Sequence, residues 1–207
     1  MNLLNKKFDL TGRNIIVTGA GGLLGSVFSD ALSEAGAQVY LIDKNERKLK
    51  KSFKSLRNHG YKPVNFTCDV TSPEEIDKVV GEIHNLGSID GLVNSAAIDP
   101  KVDAISIAEA GDNGWFTTYS LENWSKSLSV NLTGTFLMTQ AVCRVMENQD
   151  GGRGAVVNLS STYGIVAPDQ RIYEDKKEKR FFKPVDYSVT KAGILGFTRA
   201  VAAFYRD

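Results

Sequence analysis

Five short, β-branched apolar runs alternate with five amphipathic stretches along this chain, and that alternation leaves few folds open. The runs are "NIIVTG" (Asn14–Gly19), "AQVYLID" (Ala37–Asp43), "VNFTCDV" (Val64–Val70), "IDGLVNSAA" (Ile89–Ala97) and "GAVVNLSS" (Gly154–Ser161). Their short, nearly continuous apolar character is that of strands buried on both faces. Between them lie helical patterns over Leu23–Ala35, Asn45–Asn58, Ser72–Ile83 and Leu121 to about Met146, with a last one from Val185 to Tyr205. Gly36 stands where a helix cap is needed, and "SPEEIDKVVGEI" opens with a cap serine, a first-turn proline and two acids. Repeated strand–helix–strand units demand right-handed crossovers and a parallel sheet covered by helices on both faces. The expected fold is therefore a doubly wound α/β domain. The nucleotide-binding form of that architecture has six strands. Five are found, so the sequence reads as one domain over 1–207 whose C-terminal strand is missing.

The composition is that of a globular chain: 42% hydrophobic and 24% charged over 207 residues. A formal net charge of +1 gives no electrostatic reason to expect nucleic acid. No apolar run approaches the roughly 20 residues that span a bilayer, and "MNLLNKKFDL" lacks a secretion signal's apolar segment. Cys68 and Cys143 are far apart and without metal-ligand spacing, which points to free thiols and a cytoplasmic protein. His59 and His84 sit in polar helical contexts that suit a surface better than a ligand set.

Chemistry concentrates at two places. "TGAGGLLG" (Thr18–Gly25) joins the first strand to the first helix and reads as G-x-x-G-x-x-G through Gly19, Gly22 and Gly25. Glycine there permits a tight turn and close approach of a pyrophosphate, and the helix N-terminus supplies N–H groups and partial positive charge. Asp43 ends the second strand, where a carboxylate accepts from an adenosine ribose and repels a 2′-phosphate, favouring NAD. Lys44 and Arg47 follow it, which leaves NADP open. Near the other end, Tyr187 and Lys191 lie four apart on one helix face. A neighbouring ammonium stabilises a phenolate and lowers the tyrosine's pKa from about 10. A tyrosine so tuned exchanges a proton with an alcohol or carbonyl while hydride moves to or from a nicotinamide. Taken alone, such a pair is also what two exposed helical residues look like.

The pair is not alone. "TGAGGLLG", "CDV", "NSAA", "SVNLTGTF", "VVNLSS" and "YSVTK" occur in the order of the short-chain dehydrogenase/reductase family, and the chain resembles that family over nearly its whole length. The resemblance implies a Rossmann-type fold and assigns roles residue by residue. Tyr187 would be the acid/base, and Lys191 would lower its pKa and hold the nicotinamide ribose. Ser161 would bond the substrate oxygen, and Asn131 would hold a helix kink and a relay water. Gly19, Gly22, Leu24, Gly25, Asp43 and Lys44 would hold the dinucleotide, together with Asp69 and Val70 beside the adenine and Asn94, Ser95 and Ala96 beneath strand four. Asp69 also suits a turn, and Asn131 a bond to its own helix backbone. The helices Leu121–Met146 and Val185–Tyr205 resemble the family's dimer and tetramer pair.

Three departures shape the functional expectation. Leu23 stands where common members carry glycine, and the resulting spacing matches the sugar-nucleotide epimerase and dehydratase branch. About a dozen extra residues separate Ser161 from Tyr187. The segment Asp169–Lys183 holds Arg171, Lys176, Lys177, Lys179, Arg180 and Lys183, cations suited to an anionic substrate such as a sugar phosphate. This region resembles members from bacterial surface-sugar gene sets. Third, the family's final strand, its nicotinamide-contacting turn and its substrate lid are absent, so the site reads as incomplete. The expectation is an NAD-preferring oxidoreductase interconverting an alcohol and a ketone on a small molecule, in a homodimer or homotetramer. The alternatives are a non-catalytic dinucleotide-binding module and an epimerase or dehydratase.

Overall fold

The structure, a computed structural model, describes residues 8–99, 114–149, 151–173 and 182–205. Its elements run β1 (Asn14–Thr18), α1 (Leu23–Glu34), β2 (Gln38–Asp43), α2 (Glu46–Asn58), β3 (Val64–Thr67), α3 (Pro73–Leu86), β4 (Gly91–Asn94), α4 (Leu121–Leu128), α5 (Thr135–Asn148), β5 (Ala155–Asn158) and α6 (Val185–Phe204). They fall into two compact units, Met1–Ala96 with Gly134–Asn158, and Ala97–Thr133 with Leu159–Asp207.

The first unit contains the whole sheet. Its order is β3-β2-β1-β4-β5, and every pairing is parallel. The order reverses direction at β1, as a doubly wound sheet does, so the carboxyl ends of β1 and β4 flank the crevice where such sheets bind ligands. Ile16, Val17, Leu41 and Ile42 are fully buried, which is why their segments read as unbroken apolar runs. Val17, Val39 and Leu41 pack with Leu49 and Leu56 of α2 in one core cluster. Ile76, Val80 and Ile83 of α3 and Met138 and Val142 of α5 are also buried, and these two helices touch each other. Burying a side chain of this size stabilises by about 1.5–3 kcal/mol. At the other end of the sheet, Asp90 joins β1 to β4: its carboxylate accepts from the Asn14 N–H at 2.9 Å and the Arg13 guanidinium at 2.8 Å. Among the described residues β5 pairs only with β4, and its Val157 is 53% exposed.

The second unit is built on α6, with α4 packed against it. A 3-10 turn at Thr162–Gly164 lies so close to α6 that a Cβ on Gly164 would fall 2.6 Å from the Lys191 carbonyl oxygen. The helix expected over Leu121–Met146 is not continuous. A π-helical segment at Ser129–Gly134 separates α4 from α5, which runs on to Asn148. Its cause is Asn131, whose side chain accepts from the Ile98 N–H at 2.7 Å and donates to the Ile98 carbonyl at 2.9 Å and Thr190 Oγ1 at 3.2 Å. A wider turn aims the buried amide at these partners, which a regular turn would not. Asn131 thus bonds a backbone 33 residues away along the chain.

Candidate active site

In the first unit the glycine-rich turn is shaped as a cradle. Gly19 has φ +63°, and a Cβ there would meet Ala96 Cα at 2.7 Å. A Cβ on Gly25 would collide with the Gly19 carbonyl oxygen. Both positions therefore need glycine: Gly19 for conformation and room, Gly25 for room. Gly22 is the N-cap of α1 and no side chain caps that terminus, whereas Asn45 and Ser72 cap α2 and α3. Uncapped N–H groups above a side-chain-free turn are what a pyrophosphate needs, so these residues fit a dinucleotide. Leu23 and Leu24, 83% and 56% exposed, leave the turn open.

The remaining cofactor candidates of this unit surround that turn. Asp43 Oδ2 accepts from the Gly21 N–H at 2.9 Å and Oδ1 from the Asn45 N–H at 2.8 Å, fixing the carboxylate beside the glycine loop. Lys44 reaches Asp69 at 3.5 Å. Asp69 also accepts from Thr71 N–H at 3.0 Å and its hydroxyl at 2.8 Å, the pattern of a turn residue. Burial raises the Asp69 pKa, but the Thr71 bonds and Lys44 outweigh it and hold the carboxyl below its usual range. Val70 is buried and packs on Gly134. Asn94 donates to Thr139 Oγ1 at 2.9 Å and Asn158 Oδ1 at 2.8 Å, and its own Oδ1 is buried with no partner among the described residues. Thr18, which sequence reasoning missed, accepts from both the Ser95 and Ala96 N–H groups at 3.1 Å and so seats that segment against β1.

The second unit brings Ser161, Tyr187, Lys191 and Asn131 into one network. The Ser161 hydroxyl neighbours the Tyr187 phenol and favours its ionised form. Ser160 instead donates to the Lys191 carbonyl at 2.7 Å, which leaves the second serine for the phenol. Lys191 Nζ lies 5.8 Å from the Tyr187 ring centroid and donates to the Leu159 carbonyl at 2.7 Å. Thr190 links Asn131 to the helix, donating to the Tyr187 carbonyl at 2.9 Å. Asp186, fully buried, accepts from Tyr119 OH at 3.0 Å and the Tyr187 N–H at 2.7 Å, fixing the start of α6.

The electrostatics depart from expectation. Burial pushes the Tyr187 phenol above its ordinary value; the neighbouring Ser161 hydroxyl opposes this, and the Asp99 charge and Tyr163 add to it. Burial likewise lowers the Lys191 ammonium, with Asp99 opposing. The net direction is opposite to the expected lowering, because desolvation of the phenol dominates while the Lys191 ammonium is held on the Leu159 carbonyl. A second cation is closer: Lys183 Nζ lies 4.5 Å from the Tyr187 ring centroid and pairs with Asp99. Nothing in the spacing of residues 84 apart announces that pair.

Of the cations expected to bind an anionic substrate, Lys176, Lys177, Lys179 and Arg180 lie outside the described residues, as do residues 100–113 of the long connection after β4. Arg171 is paired with Asp169 at 2.6 Å, which holds that carboxyl down at about 2. This unit also contains a cavity of about 380 Å³, lined by Trp115, Phe116, Phe182, Pro184, Val185 and Ser188 among others.

The family model described as short chain dehydrogenase matches residues 13–207. The 3-oxoacyl-(acyl-carrier-protein) reductase of Aquifex aeolicus is 33% identical over 198 residues, covering 95% of this chain and 69% of the reductase. A solved xylitol dehydrogenase with bound NAD+ superposes with TM-score 0.76 at 28% identity, over 94% of this chain and 65% of its own. A gluconate 5-dehydrogenase from Burkholderia cenocepacia, in complex with NADP and tartrate, superposes with TM-score 0.78 at 25% identity, over 98% and 69%. The chain spans about two thirds of the length of these proteins.

Proposed function

The chain belongs to the short-chain dehydrogenase family, a family of NAD(P)-dependent oxidoreductases, and we propose that it interconverts a secondary alcohol and a ketone on a polyol or sugar-derived substrate, with NAD preferred. The observation that carries this reading is the gathering of Ser161, Tyr187 and Lys191 in one unit, with the Lys191 ammonium 5.8 Å from the Tyr187 ring and Ser161 beside the phenol. When bound, the nicotinamide supplies the hydride acceptor and donor. The protein's own part is proton movement and orientation. Tyr187 takes the hydroxyl proton of the alcohol, and Ser161 donates to the substrate oxygen and holds it against the phenol. Asn131, Thr190 and Lys191 anchor the backbone and flank from which the phenol works. A sugar-derived substrate is favoured by the relatives named for xylitol and gluconate, and NAD by the carboxylate of Asp43 beside the glycine turn. The expected homo-oligomer and cytoplasmic location belong to this proposal as well.

The test is NADH formation against a panel of polyols, sugars and sugar phosphates, with Tyr187→Phe as control. The substitution should lower turnover by about 10²-fold or more, the scale of general acid–base catalysis, and leave cofactor binding intact. Cofactor binding without turnover on any substrate would make the chain a dinucleotide-binding module instead.

A further inference from the structure

We propose that Lys183 and Asp99 form a charge pair that governs the protonation of Tyr187, a positioning device that rests on the oxidoreductase reading above. Lys183 lies just ahead of α6, and its ammonium is nearer the phenol ring than that of Lys191, 4.5 Å against 5.8 Å. Its position is built rather than incidental. The Gln170 side chain grips the Lys183 backbone at both ends, accepting from its N–H at 2.8 Å and donating to its carbonyl at 3.0 Å. The Lys183 side chain is only 6% exposed, while its partner Asp99 is 58% exposed. Holding a lysine in one buried rotamer costs conformational entropy and desolvation, so the placement calls for a return.

That return is electrostatic. The groups facing Tyr187 are the Ser161 hydroxyl, the ammoniums of Lys183 and Lys191, the Asp99 carboxylate, and the Tyr163 and Tyr173 phenols, which are hydrogen-bonded to each other at 3.0 Å. Asp99 opposes ionisation of Tyr187 and favours the charge on Lys191. Lys183 neutralises that carboxylate and also lies over the aromatic face, where an ammonium attracts a phenolate more strongly than a neutral phenol. Lys191 is fixed on Leu159, so the tunable charges are Lys183 and Asp99.

The test is an NMR titration of ¹³C-labelled tyrosine in the whole chain at low ionic strength, with the Tyr187 signal identified by its loss in Tyr187→Phe. Lys183→Met leaves Asp99 uncompensated and should raise the Tyr187 titration by about one unit, the lower end of what a neighbouring charge produces. Asp99→Asn should lower it, the double variant should return towards the parent, and Lys183→Arg should preserve it. High salt should shrink the shifts, because Asp99 is half exposed. In turnover, the pH profile of alcohol oxidation should move in the same directions. Titrations of Lys183→Met and Asp99→Asn that coincide with the parent, or shift in the reverse senses, overturn the proposal. Should Lys183→Met fail to fold, Asp99→Asn decides alone: a downward shift supports the pair and an unmoved titration sinks it. The titration needs no turnover, so a chain inactive on every substrate yet showing these shifts would refute the oxidoreductase reading and leave the charge pair standing.

Discussion

Cys68, just past the end of β3, is 1% exposed, and its thiol is pushed up to about 12 from an ordinary 9.0. Burial is the main cause, with the charges of Glu75 and Asp69 adding to it. The folded value lies above the unfolded one, so this thiol's contribution to stability is fully present below pH 9 and is lost as pH rises towards 12. The loss accumulated across that window is on the order of 4 kcal/mol. The urea midpoint of the parent should therefore fall across that window, and Cys68→Ala should flatten the fall. The cysteine count pointed to thiols rather than a disulfide framework, and Cys68 and Cys143 are both buried. Burial of this degree is a property of the packed sheet, invisible in the local sequence. The same holds for Tyr187. The Y-x-x-x-K spacing exposed the pair, but the sign of the phenol's shift depends on desolvation and on Asp99, neither of which spacing reveals.

Among the elements, the strands and most helices were legible because their periodicity follows from which face is buried. The last helix was expected over Val185–Tyr205 and spans Val185–Phe204. The π-helical segment at Ser129–Gly134 was not legible, since "SVNLTG" has no local reason to widen a turn. Its reason is the Ile98 backbone, brought to Asn131 from 33 residues away. Asn131→Ala would leave the Ile98 N–H and carbonyl without their partner and should cost about 1–3 kcal/mol. The check is a urea titration by circular dichroism, in which the midpoint should fall with little change in slope. The family resemblance had implied a helix kink at Asn131, and the hydrogen bonds supply its physical cause.

For the whole molecule, the sharpest expectation is cofactor linkage. If the cradle of Gly19, Gly22 and Gly25 binds a dinucleotide, NAD+ at about 100 times its Kd should add about 2.7 kcal/mol of stability. For a chain of this length that is a rise in Tm of roughly 5–10 °C. NADP+ at equal concentration should give a smaller rise because of Asp43. The measurement is a thermal melt by circular dichroism. Tyr187→Phe should keep the rise, which separates holding the cofactor from moving the proton. Asp43→Ser should narrow the gap between the two cofactors.

What the sequence determined by itself was the alternation of five strands and five helices, the glycine turn at the end of β1, the acid ending β2 and the tyrosine–lysine face of α6. Each is a local pattern, set by side-chain periodicity or by conformations that only glycine allows. Tertiary structure alone decided which distant groups meet: Thr18 with Ser95 and Ala96, Asn131 with Ile98 and Thr190, and Lys183 with Asp99 above Tyr187. Hydrogen bonds and charges act over a few ångströms, whereas these partners lie tens of residues apart along the chain. Only the folded backbone brings them within reach.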